Sequence, residues 1–324
     1  MIRRTAPAFF LAGLLAAGCL ARHYRSSPQI AVVDGDPIVQ MAALSSFPSV
    51  VKPPLVAPDL HSDRPDKEER LIGLTVGAIP RAYPIGLLDR FEVVNDSVPD
   101  LPFVVARCAL TAVVAVYDRR VGAQTLLFDN SGALWRDTLV LRDRETGTYW
   151  SAATGRALSG PLEGKTLRAV AALVTRTENW ERVFPESLYL DLDDDTSAPL
   201  LMRLYGKSPW QGISGEKTAD QRHGPKESVF AVTDVVSSEA LAFTAEELRG
   251  MGSIQATLAG EPLSIEWDPV FETPRAYTIG PEREERAVVP MYWFALARHY
   301  ATVHTVADVS GSRLSSARAA HSHP

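Results

Sequence analysis

Most of the side chains that could do chemistry lie between Asp89 and Trp150. Four strings stand out: Phe91-Glu92-Val93-Val94-Asn95-Asp96, Arg107-Cys108-Ala109-Leu110, Ser131-Gly132-Ala133-Leu134-Trp135, and Asp143-Arg144-Glu145-Thr146-Gly147-Thr148-Tyr149-Trp150. Glu92 and Asp96 are carboxylates able to move a proton or wall a polar pocket. Cys108 is a nucleophile when ionised and a soft metal donor. Arg144 can clasp a carboxylate through two parallel hydrogen bonds. With Asn95 and Ser131 they make the candidate pocket: Glu92, Asn95, Asp96, Cys108, Ser131 and Arg144. Each also has a structural reading. Asn95 and Asp96 precede the Ser97-Val98-Pro99-Asp100 turn, where such side chains bond nearby backbone. Cys108 follows the apolar run Phe103–Ala106 and reads as a small core hydrophobe. Arg107 could lower its pKa, but strand neighbours point to opposite faces. Asp143 to Thr146 can simply order a hairpin tip, and Trp135 and Trp150 suit a groove floor or a core.

The combined strings resemble a bacterial and archaeal family, domain of unknown function 3179, over about Pro65 to Val306. Its members typically read His-Glu-(Ile/Val)-Val-Asn-Asp, Cys-Pro-Leu-Cys, Ser-Gly-x-Leu-Tyr-Asn and Met-Tyr-Asp-Arg-x-Thr-x-Ser-x-Trp. This chain keeps Glu92, Val94, Asn95, Asp96, Cys108, Leu110, Ser131, Gly132, Leu134, Asp143, Arg144, Thr146 and Trp150. It departs at Phe91 in place of His, Thr111 in place of the second Cys, and Leu141 in place of Met. The resemblance implies an ancestral set of imidazole, thiols and thioether, which suits copper or thiol redox work. Phenyl, hydroxyl and isobutyl groups offer no comparable soft lone pair. A degenerate member is therefore expected: the scaffold kept, the reactive atoms gone. No cofactor and no metal ion is assigned. His299 and His304 are remote in sequence, so Cys108 has no adjacent base.

Other motifs are weak. Asp191-Leu192-Asp193-Asp194-Asp195 lacks the Gly and Glu of a calcium loop, since Thr196 and Met202 hold those places. No phosphate-binding glycine loop, serine elbow or His-Glu-x-x-His is present.

The leader reads Met1-Ile2-Arg3-Arg4, then an apolar run from Ala6 to Ala17, then Gly18-Cys19. That is a signal peptide, and Leu15-Ala16-Ala17-Gly18-Cys19 matches a lipobox. Residues 1–18 are expected to be removed and Cys19 lipidated. Two or three acyl chains, at about 0.8 kcal/mol per buried methylene, would anchor the chain stably. The expected place is the cell envelope, in the outer membrane facing the periplasm or surface. With Cys19 acylated, Cys108 has no partner for an internal disulfide. Of 33 basic side chains Arg3 and Arg4 leave with the leader, so 31 face 39 acidic ones, a net charge of −8. That balance argues against nucleic acid. The membrane, through the lipid anchor, and an envelope protein partner are the expected contacts.

The elements that position these residues read mostly as strands, with helices at Thr177–Phe184, Glu246–Gly250 and Met291–Tyr300. A shift of 160 residues aligns two halves: Ala82-Tyr83 on Ala242-Phe243, Leu88 on Leu248, Pro102 on Pro262, Cys108 on Asp268, Tyr117 on Tyr277. Roughly 130–165 has no counterpart in the second half. The expected architecture is mainly β (α+β), a compact antiparallel sheet or barrel-like body with an internal duplication and a few short helices. Its parts are a Pro-rich tether at 19–66, a first repeat with a long insertion at 67–205, a shorter second repeat at 206–309, and a disordered tail at 310–324. The expected role is a non-catalytic binding or assembly module. The rival is an enzyme that acts on a small molecule through the remaining polar and thiol groups.

Overall fold

The computed structural model describes residues 20–46, 48–61, 65–192, 205–206 and 208–309. Cys19, the run Asp193–Asp195 with Thr196 and Met202, and the tail 310–324 lie outside the described residues. Strand outweighs helix, 44% to 17%, so the chain is mainly β as its pattern predicts.

The N-terminal region is more regular than its proline content suggests. β1 (Gln29–Val33) and β2 (Asp36–Gln40) form an antiparallel hairpin. Asp34 and Gly35, both at positive φ, make the two-residue turn, and Asp-Gly is a sequence pair suited to it. Next come β3 (Val50–Val51) and β4 (Leu55–Val56), separated by Pro53 and Pro54.

Two copies of one unit follow. The first runs β5 (Arg70–Leu74), β6 (Arg81–Pro84), α1 (Ile85–Phe91), β7 (Val93–Val98), β8 (Leu101–Cys108) and β9 (Val113–Asp118). An insertion then supplies β10 (Arg120–Val121), β11 (Gln124–Thr125), β12 (Phe128–Trp135), β13 (Thr138–Asp143), β14 (Tyr149–Ser151) and β15 (Ala157–Ser159). β16 (Leu173–Arg176), α2 (Thr177–Val183) and β17 (Leu188–Leu190) complete the first copy. The second copy is β18 (Ser228–Asp234), β19 (Glu239–Phe243), α3 (Ala245–Met251), β20 (Ser253–Leu258), β21 (Glu261–Asp268), β22 (Thr273–Thr278), β23 (Glu285–Arg286), β24 (Val289–Tyr292), α4 (Trp293–His299) and β25 (Thr302–Thr305).

A shift of 160 residues carries α1, β7, β8 and β9 onto α3, β20, β21 and β22 residue for residue. The pairing repeats as well. The order β16-β5-β6-β17 matches β24-β18-β19-β25, with two antiparallel contacts and then a parallel one in each. The closing helices need a different offset, 116 residues, which sets Trp180 on Leu296. The helix expected over Met291–Tyr300 starts two residues late, because Val289–Tyr292 pairs with β18.

β1 and β2 join the insertion in one sheet ordered β1-β2-β12-β13-β14-β15. Its edges β1 and β15 touch, so it is a nearly closed barrel. Barrel and both copies share one core. Val104 and Cys108 of β8, Leu139 and Leu141 of β13, Trp150, Val229, Met291 and Leu296 belong to a single apolar cluster. The packing is tight elsewhere too. A methyl group on Gly73 would sit 2.1 Å from the ring of fully buried Trp180. Overpacking of that kind costs about 1–3 kcal/mol. Gly73→Ala is therefore expected to lower the unfolding free energy by that amount, seen as a lower urea midpoint at unchanged m-value; an unchanged midpoint would refute the close packing.

Candidate functional site

Glu92 follows the last residue of α1 as its C-cap, with φ 12° and ψ −23°. This departure from helical geometry ends the helix and starts β7. Cys108 is the last residue of β8. Both face a cavity of about 540 Å³. Its walls are mostly apolar: Met41 from the N-terminal region, Leu134 from β12, Leu139 from β13, and Trp210 and Ile213 from the segment after Tyr205. Its polar lining includes Glu92, Asn130 and the Cys108 thiol, with His23, Asp89 and Arg90.

Asn130 was not foreseen as a site residue, and a β-bulge puts it there. The ladder between β12 and β13 shifts between Asn130 and Ala133. Gly132 takes φ 72°, and a Cβ there would lie 2.3 Å from the Ala42 carbonyl, so only glycine fits. Ser131 points inward, donating to Val140 O at 2.5 Å and accepting from Ala133 N at 3.1 Å. The Gly132 amide donates to Asn130 Oδ1 at 2.8 Å. That bond orients the side chain, leaving Nδ2 to donate to Glu92 Oε2 at 2.5 Å. The Gly132 carbonyl accepts from Met41 N at 2.9 Å and Ala42 N at 3.0 Å, which draws Met41 into the wall. Ser-Gly in the third string is thus the signal for a bulge, and the residue before it lines the cavity.

Burial pushes the Glu92 carboxyl up to about 7, and the Asp89 charge adds to this. Arg107, the Asn130 amide and the Ala109 backbone N–H oppose it. Arg107 is in turn held by Asp89, Nε to Oδ1 at 2.9 Å. Burial also pushes the Cys108 thiol up, as does Glu92 when ionised. The sulfur accepts from Leu139 N at 3.4 Å. A protonated, fully buried thiol is a poor nucleophile. Glu92, by contrast, can donate or accept a hydrogen bond near neutral pH.

The other four candidates are used elsewhere. Asn95 stitches β7 to the barrel, accepting from Phe128 N at 2.8 Å and donating to Phe128 O at 2.8 Å. Asp96 binds Arg81 and accepts from Tyr83 Oη at 2.6 Å. Ser131 serves the bulge. Arg144 grips Asp129 from the surface, Nη2 to Oδ1 at 2.7 Å. Asp143 is fully buried and accepts from the backbone of Thr146, Gly147 and Thr148 and from Trp150 Nε1 at 2.9 Å. The fourth string therefore holds a hairpin tip through Asp143.

The three departures from the family strings converge only in part. Thr111 is fully buried, and its hydroxyl lies close enough to Cys108 to favour the thiolate slightly against burial. Leu141 shares the apolar cluster with Cys108, while Phe91 is half-buried outside it. No group of three or more His, Cys, Asp or Glu able to hold a metal ion occurs among the described residues. His299 packs edge-on against Trp135 and bonds Thr138 Oγ1 at 2.8 Å, away from the cavity. The histidine that does line it is His23, whose Nε2 sits 3.0 Å from the Met41 carbonyl oxygen.

A family model described as protein of unknown function (DUF3179) matches residues 45–319, most of the chain. No curated protein and no solved structure matches it.

The raised pKa fixes a sign for stability. Glu92 binds its proton more tightly folded than unfolded, so its contribution is complete below about pH 4.5 and is lost as pH rises towards 7. Carboxyl ¹³C titration should give a midpoint near 7. Glu92→Gln should become relatively more stable than the parent between pH 5 and 8. A midpoint near 4.5 would contradict the desolvated placement.

Proposed function

We propose, from the premise that the chain belongs to the DUF3179 family of unknown function, that it is a non-catalytic binding module held in the cell envelope by a lipid on Cys19. Its cavity takes a small, largely apolar molecule with one hydrogen-bonding group. The observation that carries this reading is the cavity itself: about 540 Å³, with mostly apolar walls and Glu92, Asn130 and Cys108 among its polar lining. Ligand cavities commonly fall between about 300 and 1,000 Å³, with a few polar groups that fix orientation. Each ligand methylene buried there is worth about 0.8 kcal/mol. Glu92 at a pKa of about 7 accepts a donor or, protonated, meets an acceptor. The buried thiol, whose pKa burial raises, favours binding over covalent catalysis.

Residual acid–base catalysis is the second reading, favoured by Glu92 titrating near neutrality beside the Cys108 thiol. Under that reading Glu92→Gln would abolish turnover of a ligand it still binds.

The neutral apolar dye N-phenyl-1-naphthylamine should bind with one-to-one stoichiometry. Leu134→Trp, which fills the cavity, should weaken it at least tenfold without moving the urea midpoint. Equal affinity in parent and variant would count against the cavity as the ligand site.

The anchor and the partner rest on the leader and on charge. Lipobox-like Leu15–Cys19 and a mature net charge of −8 support a lipid-held envelope protein that meets another protein there and does not bind nucleic acid. Cys19→Ser is expected to shift the protein from membrane to soluble fraction and to stop uptake of labelled fatty acid; membrane retention by that variant would remove the lipid from the picture.

A further inference from the structure

Trp210 and Ile213, which line the cavity, also line a second and shallower hollow of about 160 Å³, with Leu20 and Ala21 opposite and Pro209 and Lys217 beside them. The chain that carries them, residues 208–217, forms neither helix nor strand, and polar bonds fix it instead. Asp137, fully buried, accepts from Ile213 N and Ser214 N, each at 2.7 Å, and from Ser214 Oγ at 2.6 Å. Tyr205 Oη accepts from Gly212 N at 2.9 Å and donates to Leu110 O at 2.8 Å. Trp210 and Ile213 are thus held in place while only half-buried. The rim of the hollow is basic. Arg22 and Arg25, on the helical residues 20–26, and Lys217 are exposed, and none of the three is in an ion pair among the described residues. Arg25 Nη2 would lie 3.3 Å from a Cβ on Gly215, so it stands beside the segment. The acid there, Glu216, is taken up by Arg298. A half-exposed aromatic and aliphatic patch rimmed by unpaired cations runs against the acidic balance of the whole chain.

We propose that this face, made by Leu20, Ala21 and residues 209–217, rests on the surface of an anionic lipid bilayer. The inference builds on the lipid at Cys19 proposed above. Cys19 directly precedes Leu20, and consecutive Cα atoms are about 3.8 Å apart, so a lipid there leaves the chain at the edge of the hollow. The anchor then brings this face, before any other, to the membrane. Its chemistry suits that place. Tryptophan is favoured where headgroups meet acyl chains, because its ring is apolar and its N–H polar. Arginine and lysine are drawn to anionic headgroups within a Debye length of the surface. Acyl chains alone hold the protein at a membrane without fixing its orientation; a second, surface contact fixes which side looks at the lipid. Because Leu20, Trp210 and Ile213 line both hollows, the lipid-facing surface and the cavity share one wall.

The lipidated chain in vesicles of phosphatidylethanolamine and phosphatidylglycerol tests this. Bromine on the acyl chains near the headgroups should quench Trp210 by roughly half or more, read as the difference between the parent and Trp210→Phe. Arg25→Glu combined with Lys217→Glu should cut that quenching about twofold or more while the protein stays in the membrane fraction. An anchored chain whose Trp210 is not quenched, or is quenched equally after charge reversal, overturns the surface and leaves the anchor standing; a chain that carries no lipid overturns both. If Trp210→Phe does not fold, a photo-reactive benzoylphenylalanine at exposed Pro209 decides the matter. The expected adduct is to phospholipid. No adduct, or one to a second copy or another protein, overturns the proposal.

Discussion

Apolar burial shared between the parts of the body governs the rest. The first copy, the second copy and the barrel each keep a smaller apolar cluster of their own. They meet in one cluster that takes Val104 and Cys108 from the first copy, Leu141 and Trp150 from the insertion, and Met291 and Leu296 from the second copy. Apolar area removed from water contributes roughly 25 cal/mol per Å², so shared burial holds the parts in fixed relation. The site depends on that relation. Glu92 belongs to the first copy and Asn130 to the insertion, and the 2.5 Å bond between them spans two parts of the body.

The same burial that makes the core gives Glu92 its character. A carboxyl at a cavity wall loses water on every side except the ligand's, and its charged form is penalised. Arg107 could cancel the penalty, but Asp89 competes for the guanidinium. Asn130 satisfies one carboxylate oxygen without neutralising it. The result is an acid poised near neutrality in the wall of a mostly apolar cavity. Cys108, beside it, has lost its family's second thiol to Thr111 and keeps a protonated sulfur that works as much in packing as at the wall.

Much of the fold was legible. Apolar, β-branched runs marked β8 and β9, and the 160-residue offset between Cys108 and Asp268 coincides with the offset of whole elements. The hairpin at Asp34-Gly35 was legible too, from its turn pair, but the prolines downstream drew attention to an irregular tether. Helix α1 left a weaker trace, because Ile85–Phe91 is short and has no side-chain N-cap, unlike α3, where Thr244 and Glu247 form a capping box. At the site, Glu92 and Cys108 were recognisable by type. Asn95, Asp96, Ser131 and Arg144 look equally functional in one dimension and turned out to satisfy Phe128, Arg81, Val140 and Asp129.

Residue types and local periodicity by themselves determined the strand-rich class, the duplicated unit and the turn glycines. These follow from steric and solvation rules that act within a few residues. Only the tertiary structure decided which polar side chains face the cavity and which face the backbone. That choice depends on what lies opposite, and opposite residues come from parts of the chain far apart: Met41 and His23 from before the first copy, Asn130 from the insertion, Trp210 and Ile213 from beyond it. A carboxyl's pKa, an amide's free hydrogen and a cavity's shape are properties of that meeting, and no segment carries them alone.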